Sequence, residues 1–181
     1  MSVDAVSTEQ AVRAWLRERG AETVDHPGGT LYAHLGRVHD RLGALGHGPD
    51  VRLAGLAHAA YGTDGFDLAL LAPTDRATLR DLVGERAETL IHLYGACDRS
   101  RSWKALPETR RVWDRFTGLA LDLAPDQVQP FTDLTIVNEL DVVERDPGIA
   151  ERHGAALRTL FESWAPLASA PVLAESRRVL G

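Results

Sequence analysis

The stretch Leu53 to Asp64, Leu-Ala-Gly-Leu-Ala-His-Ala-Ala-Tyr-Gly-Thr-Asp, constrains the fold more than any other part of the chain. It reads as a short helix, apolar on nearly every side, with His58 inside it and a polar turn at its end. A segment hydrophobic all round belongs in the middle of a domain. An imidazole placed there costs free energy unless a hydrogen bond or a metal satisfies it. The rest of the chain must therefore wrap this helix in amphipathic elements and supply a partner for His58.

Periodicity makes that wrapping helical. No Val/Ile/Thr-rich alternating run of strand length stands out, so the predicted class is all-α, a helical bundle. Ser7 or Thr8 is placed to cap a first helix with Val12, Trp15 and Leu16 on one stripe, ended by Gly20. The breaker cluster His26-Pro27-Gly28-Gly29 closes a loop. Thr30 then caps a second helix, whose Leu31, Leu35, Val38, Leu42 and Leu45 fall within one narrow arc. His34 sits at the edge of that arc. His39 and Asp40 point away from the seam, which makes their dipeptide a decoy.

Asp50 is placed to cap the central helix, Val51 to Tyr61. Thr74 opens a short helix through Leu82, and a longer one begins at Glu85 and ends near Arg99. Residues 99 to 115 read as irregular or broken helix, rich in arginine and tryptophan. Pro125 or Pro130 opens a long helix ending near Arg145, with Leu134, Asn138 and Asp141 on one face. Ile149 to Trp164 and Leu173 to Leu180 close the bundle. With 181 residues, one domain is expected. Its core lies within residues 30–145, and helices 7–20 and 149–180 pack on it.

Composition narrows the partners. The formal net charge is −6, with both signs interspersed, which gives no argument for nucleic acid or an anionic membrane. Cys97 is the one cysteine, so an internal disulfide and any multi-cysteine metal site are ruled out, and a reducing cytoplasm is expected. No signal peptide and no membrane-spanning run is legible. Oligomeric state is not readable.

Four helices each turn polar side chains inward: His34, His58, Asp98, and the pair Asn138 and Asp141. Buried polar groups are normally paired, and clustering satisfies several at once. Two imidazoles and a carboxylate suit a divalent ion, or a base with its orienting group. Each residue also has a plainer reading. A core histidine bonds a backbone carbonyl, Asp98 caps a turn, and Asn138 with Asp141 ties helices together. The basic run is a solvated face, and Cys97 is a small core residue.

Together these residues resemble the HD superfamily of all-helical metal-dependent phosphohydrolases, and most nearly its alarmone hydrolases. Leu31-Tyr32-Ala33-His34-Leu35 and Leu56-Ala57-His58 stand at the family's spacing. Val83 to Leu90 is similar to the helix that follows, and Ile136-Val137-Asn138-Glu139-Leu140-Asp141 to the context of the last metal aspartate. The resemblance spans residues 30–145. It departs at two carboxylate ligands, which are Ala59 and Asn138 here, and at the acidic pair after the motif, replaced by Tyr61-Gly62-Thr63-Asp64. Losing both anions removes much of the charge that holds a hard cation. The His58-x-x-Tyr61-Gly62-Thr63 pattern, with Cys97-Asp98-Arg99, is similar to a degenerate branch of HD-like proteins.

Three functions compete on this reading. In the first, His34, His58 and Asp98 hold a divalent metal (Mn, Fe, Zn or Ni) that activates water against a phosphorylated or anionic metabolite. In this reading Asp64 or Asp141 is a substitute carboxylate, and Arg99 holds the anion. In the second, a metal-free enzyme uses His58, His34 or His26 as base, with Tyr61 and Asn138 positioning the substrate. Across the enzyme readings the catalytic candidates are His58, Tyr61, Thr63, Asp64 and Asn138, and the substrate-binding candidates are His26, Arg99 and Asp141. The third is a non-catalytic module that binds a small ligand on the same scaffold.

Overall fold

The computed structural model describes residues 3–181, with side chains from residue 7 onward. It is a mostly helical fold with two small hairpins. Helix α1 spans Val3–Glu18, so Ser7 and Thr8 lie within it rather than capping it. Its stripe of Val12 and Leu16 is fully buried, and Gly20 ends it with φ +80°.

The breaker cluster forms more than a loop. Strands β1 (Asp25–His26) and β2 (Gly29–Thr30) pair antiparallel in a tight hairpin. Thr30 then caps α2 (Leu31–Ala44), its hydroxyl accepting from the Ala33 N–H at 3.2 Å. Leu31, Leu35, Val38 and Leu42 are buried as the stripe requires. His39 is buried too, its ring against Asp40 and Glu9 on the α1 side. It is therefore a core histidine, away from the site described below.

Helix α3 runs Pro49–Ala57, with Gly48 rather than Asp50 at the cap and His58 already at its C-cap. The helix stops short of the expected end at Tyr61 because Gly62, at φ +73°, turns the chain through residues 58–62. That turn packs against α5 (Glu85–Ala96) at Gly95. A Cβ on Gly95 would meet the Gly62 carbonyl oxygen at 2.9 Å and the Tyr61 Cβ at 3.2 Å. A backbone oxygen cannot swing aside, so Gly95→Ala is expected to cost about 1–3 kcal/mol. Urea unfolding within about 0.5 kcal/mol of the parent protein would show that the turn yields instead.

Helix α4 spans Arg76–Val83, and Thr74 does not cap it. Helix α5 stops at Ala96 because Cys97 turns extended. The segment beyond it is more ordered than predicted. Short helices α6 (Arg99–Ser102) and α7 (Leu106–Thr109) lead into a hairpin of β3 (Arg111–Asp114) and β4 (Leu119–Asp122). Asp98 N–H to Trp113 O and Arg115 N–H to Ala96 O sew this hairpin to the end of α5. The alternation in Arg111–Asp114, exposed then buried, is too short to announce a strand in the sequence.

Pro125 opens α8 (Pro125–Arg145), leaving Pro130 inside it. Helices α9 (Pro147–Ser163) and α10 (Ala170–Leu180) follow. The apolar core is one cluster running from Val12 through α2, α3, α5 and α8 to Val172. Among the described residues, no helix is long and apolar enough to cross a membrane.

Candidate functional site

A cavity of about 410 Å³ opens where α2, the end of α3, the start of α6 and the middle of α8 meet. The β1–β2 hairpin and the turn around Thr63–Phe66 form its rim. His26, His34, His58, Thr63, Asp64, Arg99 and Asn138 all line it. Each reaches it by a different route.

His34 is 1% exposed and carries the densest network. Its Nδ1 lies 2.6 Å from Asp141 Oδ2, and its Nε2 2.9 Å from Asn138 Oδ1. The Asn138 amide is oriented by its own Nδ2, which donates to Glu139 Oε1 at 2.9 Å. Flipping that amide would set two acceptors against each other. Both ring nitrogens of His34 therefore donate, and the ring is cationic. Asp141 sits behind it, outside the cavity wall, and takes a bidentate pair from Arg37 at 2.8 and 2.9 Å. Burial opposes the Asp141 anion, but His34 and Arg37 more than compensate and hold its carboxyl well below the usual range.

His58 is satisfied on one side only. At the C-cap of α3 its Nδ1 bonds the Gly55 carbonyl at 2.8 Å. A carbonyl only accepts, so Nδ1 carries the proton and Nε2 keeps its lone pair. The ring packs edge-on between His34 and Tyr94, at 5.3 and 5.1 Å between centroids. Burial, and secondly the charge on His34, push its pKa down to about 3. His26 stacks on His34 at 4.0 Å, and burial followed by His34 lowers it to about 4. The site is thus one charged imidazole between two neutral ones.

Arg99 closes the far wall. Its guanidinium pairs with Glu139 at 2.9 Å, donates to the Tyr94 hydroxyl at 3.2 Å and lies over the Trp103 ring. Its backbone N–H donates to Asp64 Oδ2 at 2.8 Å, which ties the Thr63–Phe66 turn to α6. Thr63 is pinned in that turn by backbone bonds with Phe66.

Three predicted residues do not line the cavity: Asp141, expected to bind substrate, sits behind His34, and Asp98 and Tyr61 lie elsewhere. Asp98 caps α6, accepting from the Arg101 N–H and the Ser100 hydroxyl at the surface, because its side chain points along the new helix and away from the histidines. Tyr61 turns to the opposite side of its segment, where its hydroxyl donates to Glu88 at 2.8 Å. Glu88 is fully buried and also holds Arg76. That cluster is a structural lock. Ala59, where the resemblance calls for a carboxylate, lines the cavity as a bare methyl.

His34, His58 and Asp98 are not brought together as a ligand set. Both nitrogens of His34 are spent on hydrogen bonds, Asp98 is absent from the cluster, and position 59 has no oxygen. Among the described residues no group of three His, Cys, Asp or Glu side chains could hold a metal. Cys97 is buried beside the site with its thiol pushed up to about 11 by burial, so it is an inert packing residue.

Sequence reasoning missed Arg37, Glu139 and the rim residues Phe66 and Arg152. Arg37 was accessible in principle, since it follows His34 by one helical turn. Glu139 neighbours Asn138, and nothing in its local pattern marks it as the partner of Arg99.

A family model described as a domain of unknown function (DUF6817) matches residues 15–99. No curated protein and no solved structure matches the chain. The matched segment contains His26, His34, His58, Asp64 and Arg99, and stops before Asn138 and Asp141.

Proposed function

We propose that the cavity is a metal-free binding site for a small polar metabolite, built on a degenerate HD-like scaffold. The observation that carries this reading is the pairing of roles between two imidazoles. His58 lines the cavity with Nδ1 committed to the Gly55 carbonyl, which leaves Nε2 as its acceptor atom, while His34 is a buried cation locked by Asp141 and Asn138. Such a site favours a ligand with a hydroxyl or N–H directed at His58 and negative charge near Arg99 and His34. A base held at about 3 is poorly matched to proton abstraction near neutral pH. Hydrogen-bond acceptance is therefore the first role of His58.

A second reading, a metal-free acid–base enzyme, draws on the cations around His58. An anionic ligand beside Arg99 would oppose the charges that depress His58 and so raise its basicity on binding. Turnover of a bound compound that vanishes in His58→Gln would favour it over simple binding.

The test is a thermal-shift panel of phosphorylated and carboxylated metabolites, run on the parent protein and on His58→Gln. At least one compound is expected to raise Tm by a few degrees in the parent and much less in the variant. Imidazole nitrogen spectra at pH 7 should show His58 as the Nδ1–H neutral tautomer. A panel with no hit, or hits indifferent to His58→Gln, would sink the proposal. A site saturating with one equivalent of Mn, Fe, Zn or Ni would replace it with the metal reading.

A further inference from the structure

A second cavity, of about 400 Å³, adjoins the histidine cavity. Four residues line both: Arg99, Glu139, Ile149 and His153. The character changes abruptly across them. Beyond Arg99 the wall is Trp103, Ile149, Ala156, Leu157 and Leu160, a trough between α9 and the segment that follows α6. Leu157 is buried; Trp103, Ile149 and Leu160 are half-buried and Ala156 is exposed. The histidine side offers polar atoms, and the trough offers carbon.

Charge around the trough is lopsided. Its lining carries Arg99, Lys104 and His153 against one acid, Glu139, and Arg152 stands at the adjoining rim of the histidine cavity. Glu139 is already committed to Arg99 and Asn138. Asp64, the other acid at the histidine cavity, is engaged by the Arg99 backbone N–H. Lys104 and Arg152 form no ion pair among the described residues; Lys104 lines the trough and Arg152 the adjoining histidine cavity. An apolar surface bordered by uncommitted cations suits an anion with an apolar tail.

We infer that the two cavities form one bipartite site for an amphipathic organic acid. Its acidic group lies at the junction, near Arg99, Arg152 and His153. Its apolar tail runs along Trp103, Ala156 and Leu160, and any further polar group reaches into the histidine cavity. This deepens the metabolite-binding reading above, since it assigns the part of the ligand that the histidines do not touch.

Linear carboxylates are the probe. A titration series from butyrate to decanoate, kept below micelle formation, is followed by the indole N–H signals of the protein. Affinity is expected to rise about two- to fourfold per added methylene, with the Trp103 signal moving and that of Trp15 still. Ala156→Glu, a change at an exposed helical position, should weaken decanoate at least tenfold. Ala155→Glu, on the next residue but outside the trough, should leave it unchanged. His58→Gln should also leave decanoate within threefold, so failure of the trough and failure of the His58 reading are separable. Three outcomes overturn the inference: affinity independent of chain length, equal loss in Ala155→Glu, or a parent dimer that Ala156→Glu dissociates. The last would make the trough a contact between two copies.

Discussion

Replacing Asp141 by alanine is expected to remove about 3–5 kcal/mol of unfolding free energy. The carboxylate is 3% exposed and is shared by two cations, His34 and Arg37. Deleting it strands a buried imidazolium and half of a guanidinium with no counter-charge. The penalty is the desolvation of those orphans more than the loss of a favourable pair. Asp141→Asn keeps the shape and should recover only part of the loss, since an amide cannot accept from both partners as an anion does. Urea unfolding at pH 7 measures all three proteins. A loss under about 1 kcal/mol in Asp141→Ala would mean that His34 is neutral and the network is wrongly drawn.

The same cluster sets the acid response. His26 and His58 titrate near 6.5 when unfolded but are depressed to about 4 and about 3 when folded. The unfolded chain therefore binds their protons first. Their contribution is fully present above pH 6.5 and is lost as pH falls toward 4 and 3. Asp141, depressed from 3.8, adds a further loss only below that value. Stability should thus decline steadily from pH 6.5 to 4, and His58→Gln should flatten the slope by about one proton. A urea midpoint unchanged between pH 7 and 5 would contradict the buried neutral histidines.

Trp164→Ala is expected to cost a comparable amount, about 3–5 kcal/mol. The indole is fully buried, packs on Phe161 and Trp103 at 5.4 and 5.8 Å, and donates to the Trp103 carbonyl at 3.1 Å. It supports the residue that walls the apolar trough. The variant should therefore lose binding of long carboxylates as well as stability. A loss under about 2 kcal/mol would show that the surrounding helices collapse into the space.

Helical periodicity made α2 legible because it buries a stripe with the right step; α3 was legible instead as a run buried on every side, Leu53 to Ala57. The hairpins were not legible. Asp25–His26 and Gly29–Thr30 are too short for alternation to show. Arg111–Asp114 is stabilised by pairing with the end of α5, a contact no local pattern records. At the site, His34, His58, Asn138 and Asp141 do converge, because burying four polar groups separately would cost more than pooling them. Asp98 and Tyr61 fell away for a reason that spacing conceals. A helix end redirects a side chain, so Asp98 caps α6, and a turn that begins at His58 rotates Tyr61 toward Glu88.

The reach of the family match has a practical meaning in light of the His34 network. Residues 15–99 hold three imidazoles, Arg37 and Arg99, but the carboxylates ion-paired with His34, Arg37 and the Arg99 guanidinium, Asp141 and Glu139, come from α8. Expressed as a fragment, that segment would be a charge-frustrated half. It should fold only when α8 is offered back, for example as a synthetic peptide in trans. Complementation of that kind would turn the buried ion network into a reporter of assembly.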